Sequence, residues 1–351
     1  MTAQRLEKLR SLMEENTAAF ISGKANIFYY SGFTSEDARL LITPNKQYII
    51  TDSRYTIQAQ QQSPEFEIID ISVGYKNIFE KVKDFDIAIE EENITLREFD
   101  KIRDIISVGQ NILKKQSQIS APRKIKSENE IKTIAEAERI GDEAFRYILN
   151  KIRPGVSEAE IALELEFFMR KCGASSLSFE TISASGKRSA MPHGTATDKL
   201  IENGDFLTLD FGCVFEGYCS DMTRTVVVGK ASDWQKEIYN LVLKAQLAAL
   251  ETLSAGMKCN QVDKVARDII AEAGYKENFG HGLGHSVGVE IHEMPSLSPK
   301  CDETIKSGHI LTVEPGIYIE NKGGVRIEDL IAVTDSGVIN LTNSPKELLE
   351  L

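Results

Sequence analysis

Apolar and polar positions change period along the chain, and the changes mark out its elements. Up to residue 110, short apolar runs of strand length alternate with amphipathic stretches. Ala18–Ser22, Arg39–Thr43, Gln47–Thr51, Phe66–Ser72 and Asp86–Ile89 read as strands. Tyr55–Gln61, Lys76–Val82 and Leu96–Ile106 read as helices, and the N-terminal stretch forms another with Leu6, Leu9 and Met13 on one side. This alternation predicts a small α/β domain. Residues 110–126 are polar, basic and aperiodic, which reads as a link. Ser127-Glu128-Asn129-Glu130 is then a capping box, followed by a helical stripe through Ile131, Ile134, Ala135, Phe145, Ile148 and Leu149 that Pro154 stops.

The remainder contains an internal repeat. Gly155-Val156-Ser157 opens a helix ending at Cys172-Gly173, and Gly256-Met257-Lys258 opens another of the same span ending at Ala273-Gly274. Downstream of each comes a matching strand. The first is Gly204-Asp-Phe-Leu-Thr-Leu-Asp210-Phe-Gly212, the second Gly308-His-Ile-Leu-Thr-Val-Glu314-Pro-Gly316. A duplicated helix-plus-strand unit sets Asp210 and Glu314 in equivalent places.

Each strand continues into a hairpin. A fold of Leu207–Val228 about Phe215-Glu216 sets Asp210 directly opposite Asp221, with Arg224 on the other face. In the second hairpin Asn321-Lys322-Gly323-Gly324 is the turn, Glu328 faces Glu314, and Arg326 shares the face of Glu328. Like charges facing each other are normally avoided in a sheet, and a divalent cation between them is the economical answer. The competing reading of a facing Asp pair is a solvated hairpin.

Charge and cysteine content narrow the field. The net charge of −12 argues against nucleic acid or an anionic membrane as partner. No stretch approaches the ~20 apolar residues of a membrane span, and the N-terminus lacks a signal-peptide pattern. Cys172, Cys213, Cys219, Cys259 and Cys301 show no paired spacing, which fits reduced thiols and a cytoplasmic protein. A thiolate site at Cys213 and Cys219 is a weaker alternative to their use as small buried hydrophobes.

All five histidines lie beyond residue 190: His193, His281, His285, His292 and His309. Three fall within Gly280–His292, a stretch too rich in glycine for a zinc-binding helix but suited to close approach of backbone to a site. His309 reads as structural. Four facing carboxylates plus an imidazole form a hard donor set for two divalent cations, suiting Mn²⁺, Fe²⁺ or Co²⁺, with Zn²⁺ as a further choice. Two such ions hold a water and make hydroxide available near neutrality.

At the level of motifs the chain resembles the pita-bread metallopeptidases, in particular the Xaa-Pro branch of aminopeptidase P and prolidase. SGFTSEDARLL and YIITDSRYTIQA resemble its creatinase-type N-terminal domain. SGKRSAMPHG, LTLDFG, CSDMTRTVVVG, GHGLGHSVGVEIHE, LTVEPGIY and GGVRIED resemble its catalytic part. The fold implied is α/β (α+β): a creatinase-like domain over residues 1–122 and a pita-bread catalytic domain with an internal pseudo-twofold repeat over 123–351. The resemblance implies Asp210, Asp221, His285, Glu314 and Glu328 as ligands of two metal ions, Mn²⁺ foremost. It implies substrate contacts for His193, His281 and His292, with His281 and His292 steadying the scissile carbonyl and oxyanion. Glu314 would shuttle a proton, and Arg326 and Tyr318 would stand near the site. The implied substrate is a peptide with proline in second position, and the implied assembly a homodimer. Two readings compete: a methionine-preferring aminopeptidase on the same scaffold, and a non-catalytic peptide-binding module.

Overall fold

The computed structural model describes residues 2–351. The chain divides into two compact units, Met1–Arg123 and Lys124–Leu351.

The first unit runs α1 (Thr2–Leu12), β1 (Thr17–Ile21), α2 (Lys24–Ser31), β2 (Ala38–Ile42), β3 (Gln47–Thr51), α3 (Thr56–Gln62), β4 (Glu67–Asp70), α4 (Tyr75–Phe79), β5 (Asp86–Ile89), α5 (Leu96–Ile105), β6 (Ile112–Lys114) and α6 (Gln116–Ser120). Its strands form one mixed sheet in the order β4-β3-β2-β1-β5-β6. Central β1 is buried along its whole length, as expected of a strand covered on both faces. Three elements differ from the sequence expectation. The stretch read as a bare link supplies β6, which pairs in parallel with β5, and α6. Helix α2 (KANIFYYS) is buried nearly all round, so it shows no amphipathic period.

The second unit begins with α7 (Glu128–Ile148), whose Ser127–Glu130 capping box is formed, and α8 (Glu158–Lys171). It continues through β7 (Ser176–Leu177), β8 (Ile182–Ser185), β9 (Phe206–Phe211), β10 (Cys213–Phe215), β11 (Tyr218–Cys219), β12 (Met222–Val227), α9 (Asp233–Thr252) and α10 (Cys259–Glu272). It ends with β13 (Gly284–Ser286), β14 (Glu293–Leu297), β15 (Ile310–Val313), β16 (Gly316–Ile319), β17 (Gly323–Arg326), β18 (Asp329–Thr334) and β19 (Gly337–Asn340).

The repeat is present in the backbone. Helices α8 and α10 both have 14 residues. Gly155 and Gly256 turn into them with φ 88° and 94°, and Gly173 and Gly274 leave them with φ 105° and 90°. These left-handed positions are where glycine carries no Cβ penalty. Each half closes its own apolar core. Ile140 and Phe145 of α7 pack with Ile161 and Leu165 of α8 and with Leu207 and Leu209. Ile238 and Val242 of α9 pack with Val262 and Ala266 of α10 and with Leu311 and Val313. Even the turns before the two strands match. Asp205 Oδ2 accepts the Glu202 N–H at 3.0 Å, and His309 Nδ1 accepts the Lys306 N–H at 3.2 Å.

The hairpins carry the acids to one place, with one correction to register. The second hairpin pairs Gly316 with Arg326 and Val313 with Asp329, so Glu314 and Glu328 are in register as expected. In the first, Asp210 pairs with Thr223, not with Asp221. The turn is Glu216-Gly217, with φ 47° and 82°. A two-residue hairpin turn whose residues both have positive φ follows the twist of its strands, and this sets the register. Asp221 is therefore the diagonal neighbour of Asp210 on the same face.

Candidate active site

Asp210 lies near the end of β9, and Asp221 just before β12 at the break between β11 and β12. His285 is on β13, and Glu314 and Glu328 flank the β16–β17 hairpin. All five acidic and imidazole side chains line one cavity of about 490 Å³ within the second unit. Ligand atoms of Asp221, His285 and Glu328 lie within 4.8 Å of one another.

The tautomer of His285 follows from its neighbours. Its Nδ1 lies 3.2 Å from the Ser286 carbonyl, which can only accept, so Nδ1 carries the proton. The lone pair of Nε2 then faces Asp221 Oδ2 at 3.5 Å and Glu314 Oε1 at 3.4 Å. Burial also pushes the His285 pKa down to about 4, so the ring is neutral. A lone pair aimed at carboxylate oxygens is repulsive unless a cation stands between them.

The carboxylates show the same deficit of positive charge. Burial raises the pKa of Asp221, and Glu328, Asp210 and Glu314 raise it further. Burial likewise lifts Glu328, with Glu314 and Asp210 adding to it. Glu314 is pushed up to about 8 by burial, although Arg326 opposes the rise. Asp210 Oδ1 and Glu328 Oε1 are buried and have no hydrogen-bond partner among the described residues. Leaving a buried polar atom unpaired costs about 1–3 kcal/mol, more for a charged one. The donor set therefore fits divalent metal: hard carboxylate oxygens, one neutral imidazole nitrogen, and unpaired acceptors aimed inward.

Neighbouring side chains fix these groups in place. Thr223 Oγ1 donates to Glu328 Oε2 at 2.7 Å and accepts from Arg326 Nε at 3.1 Å. Thr312 Oγ1 donates to Glu314 Oε1 at 3.1 Å and accepts the His285 N–H at 3.0 Å. Arg326 Nη2 binds Asp210 Oδ2 at 2.6 Å, and its Nη1 binds the Tyr318 hydroxyl at 2.8 Å. Glu138 on α7 accepts the Asp221 N–H at 3.2 Å and the Thr342 hydroxyl at 2.6 Å, and burial pushes its pKa up to about 8.

Of these supporting residues, Thr223, Thr312 and Glu138 are not singled out by the sequence. Thr223 and Thr312 each stand two positions from a site acid in a strand pattern, and that spacing puts them on its face. Glu138 gives no such signal, because its partners lie far along the chain.

The other expected site residues divide. His193 and His292 line the cavity and are exposed to it. His292 makes an edge contact with His285 at 4.5 Å between ring centres, and burial together with His193 lowers its pKa. His281 also lines the cavity, but both its nitrogens are engaged. Nδ1 donates to the Gly282 carbonyl at 2.7 Å, and Nε2 accepts the Tyr318 hydroxyl at 3.0 Å. His281 thus has no ring nitrogen left for an oxyanion in this arrangement. Tyr318 does not line the cavity; its hydroxyl joins His281 to Arg326.

Arg224 points to the opposite face, as the strand alternation requires, and pairs with Asp329 at 2.9 Å. His309 is buried away from the cavity. The thiols of Cys213 and Cys219 are raised by burial to about 12 and sit against the Ala137 and Val289 carbonyls, so they act as buried thiols. No helix among the described residues is long and apolar enough to cross a membrane.

Comparison with known proteins agrees with this geometry. The sequence profile of metallopeptidase family M24 matches residues 132–335, and that of the creatinase/prolidase N-terminal domain matches residues 5–123. The chain is 37% identical to the Xaa-Pro dipeptidase of Pyrococcus furiosus over 360 residues, covering 99% of each. Among solved structures, the Xaa-Pro dipeptidase from Bacillus anthracis superimposes with a TM-score of 0.96 at 43% identity, covering 100% of both chains. The X-Pro aminopeptidase from Thermotoga maritima gives 0.91 at 40%, covering 99% of this chain and 100% of that one. By profile, sequence and structure alike, the chain is a metallopeptidase of family M24, preceded by a creatinase/prolidase-type N-terminal domain.

Proposed function

We propose that this enzyme cleaves the peptide bond between an N-terminal residue and a following proline. The catalytic centre would be two divalent ions held by Asp210, Asp221, His285, Glu314 and Glu328. The observation that carries the metal centre is the neutral His285, with its Nε2 lone pair turned on two carboxylate oxygens. The Xaa-Pro specificity is supported by relatives of that name along essentially the whole chain. Oxygen donors in the majority favour Mn²⁺, with Co²⁺, Fe²⁺ and Zn²⁺ as alternatives.

When bound, the ions would supply Lewis acidity and a nucleophilic water at neutral pH. The protein's own groups do the rest. Phe179, Ile182 and Pro192 give the cavity an apolar wall beside His193, suited to a pyrrolidine ring. A Xaa-Pro bond has no N–H, so a seat without a waiting acceptor suits it. His292, with no hydrogen-bond partner among the described residues, is the imidazole free to donate to the scissile carbonyl, the electrostatic role that contributes most in such sites. Glu314 has one oxygen tied to Thr312 and keeps the other to take a proton from the attacking water and pass it to the leaving nitrogen. Arg326 holds Asp210, and Tyr318 and His281 steady Arg326.

The same proposal includes a homodimer, from the family resemblance, and a cytoplasmic setting, supported by five free cysteines. It is tested by incubating the Mn²⁺-loaded protein with Ala-Pro-Ala and Ala-Ala-Ala and measuring free alanine. Selective release from the first is expected; equal release would overturn the specificity.

A further inference from the structure

Among the described residues lining the cavity, Arg326 is the sole Lys or Arg. All three of its nitrogens are already bound, to Asp210, Tyr318 and Thr223. Arg188 touches the back of the same wall through the Thr195 carbonyl at 2.6 Å, but its Nε is held by the buried carboxylate of Glu158 at 2.9 Å. On the wall that carries His193 the free charge is negative. Glu180 is exposed, lines the cavity, and has no ion-pair partner among the described residues. It stands two positions before Ile182, which pairs with Asp210 in the β8–β9 ladder and bridges to Thr195. Glu180 itself precedes β8, in the segment that also gives Phe179 to the cavity lining. The lining also includes the neutral hydroxyl residues Ser296 and Ser298.

A free Xaa-Pro dipeptide and a longer Xaa-Pro peptide differ in one group on the proline, whose proposed seat of Phe179, Ile182 and Pro192 shares the cavity lining with Glu180. The carboxyl of proline is an ionised carboxylate in the first and a neutral amide in the second. Burying a carboxylate without a partner is costly, and a facing carboxylate adds repulsion. We propose that this enzyme acts on Xaa-Pro peptides that continue beyond the proline, and that Glu180 turns away the free dipeptide. This rests on the Xaa-Pro reading and names the substrate class within it. Glu180 is a specificity residue and takes no part in bond cleavage.

The test compares Ala-Pro, Ala-Pro-amide and Ala-Pro-Ala as substrates of the Mn²⁺-loaded full-length enzyme, with Glu180→Gln and Glu180→Lys beside the wild type. The two uncharged or extended substrates are expected to exceed Ala-Pro by about tenfold or more in kcat/KM, chiefly through KM. Glu180→Gln narrows the gap and Glu180→Lys narrows it further, by about three- to tenfold per charge step, with the change falling on Ala-Pro more than on Ala-Pro-amide. Ala-Pro cleaved as well as Ala-Pro-amide by the wild type would overturn the inference, as would a ratio that ignores both substitutions. Cleavage of none of the three would overturn the Xaa-Pro reading itself.

Discussion

Thr223 and Glu328 join the two hairpins of the site: the threonine hydroxyl donates to Glu328 Oε2 at 2.7 Å, while across its own ladder Thr223 faces Asp210. One hydroxyl thus fixes a carboxylate that comes from the other half of the repeat. Thr223→Val keeps the shape and removes the donor. It also leaves Arg326 Nε without an acceptor. Supporting residues of this kind cost about 10–100-fold in metal affinity or activity when lost. Isothermal titration with Mn²⁺ is expected to show weakened binding with a folded protein by circular dichroism; unchanged affinity would deny Thr223 this role.

Asp221→Asn removes one charge from a crowded set of buried acids. Metal analysis after dialysis is expected to fall from two ions per chain toward one or none, and activity with it. Full activity in this variant would remove Asp221 from the metal centre.

His292→Ala separates holding metal from handling substrate. The five proposed ligands are untouched, so metal content stays at the wild-type level. Loss of a single oxyanion donor lowers kcat by about 10²–10³. Metal loss with little change in turnover per ion would reverse the assignment.

His309 predicts an acid-side stability change away from the site. Burial lowers its pKa from the ordinary 6.5 to about 4, and Nδ1 accepts the Lys306 N–H. Between those values the unfolded chain binds a proton that the folded chain does not. Its contribution is therefore complete above the ordinary value and lost as pH falls toward 4. His309→Asn keeps an acceptor for the turn, as Asp205 does in the other half. The melting temperature of this variant is expected to fall less between pH 6.5 and 4 than that of the wild type.

The second hairpin was legible to the residue because Asn321-Lys322-Gly323-Gly324 fixes its turn. The first was read two positions off, because Glu216 adopts positive φ beside Gly217, a conformation uncommon for glutamate. The face of every acid was still right, since a shift in pairing of two positions preserves the side of the strand. The repeat helices were legible from their bounding glycines. What stayed hidden depends on contacts remote in sequence. Glu138 meets Thr342 across the chain, and nothing local marks either as a partner. Tyr318 and His281 stand out through the family motifs, but their mutual hydrogen bond depends on tertiary geometry.

The most direct test of the central claim is the initial rate of alanine release from Ala-Pro-Ala against Ala-Ala-Ala by the metal-loaded protein, repeated after exhaustive chelation. The account predicts at least about tenfold preference for the proline peptide, abolished by chelation and restored by Mn²⁺. Equal rates on the two peptides, or a rate that survives complete removal of metal, would contradict it.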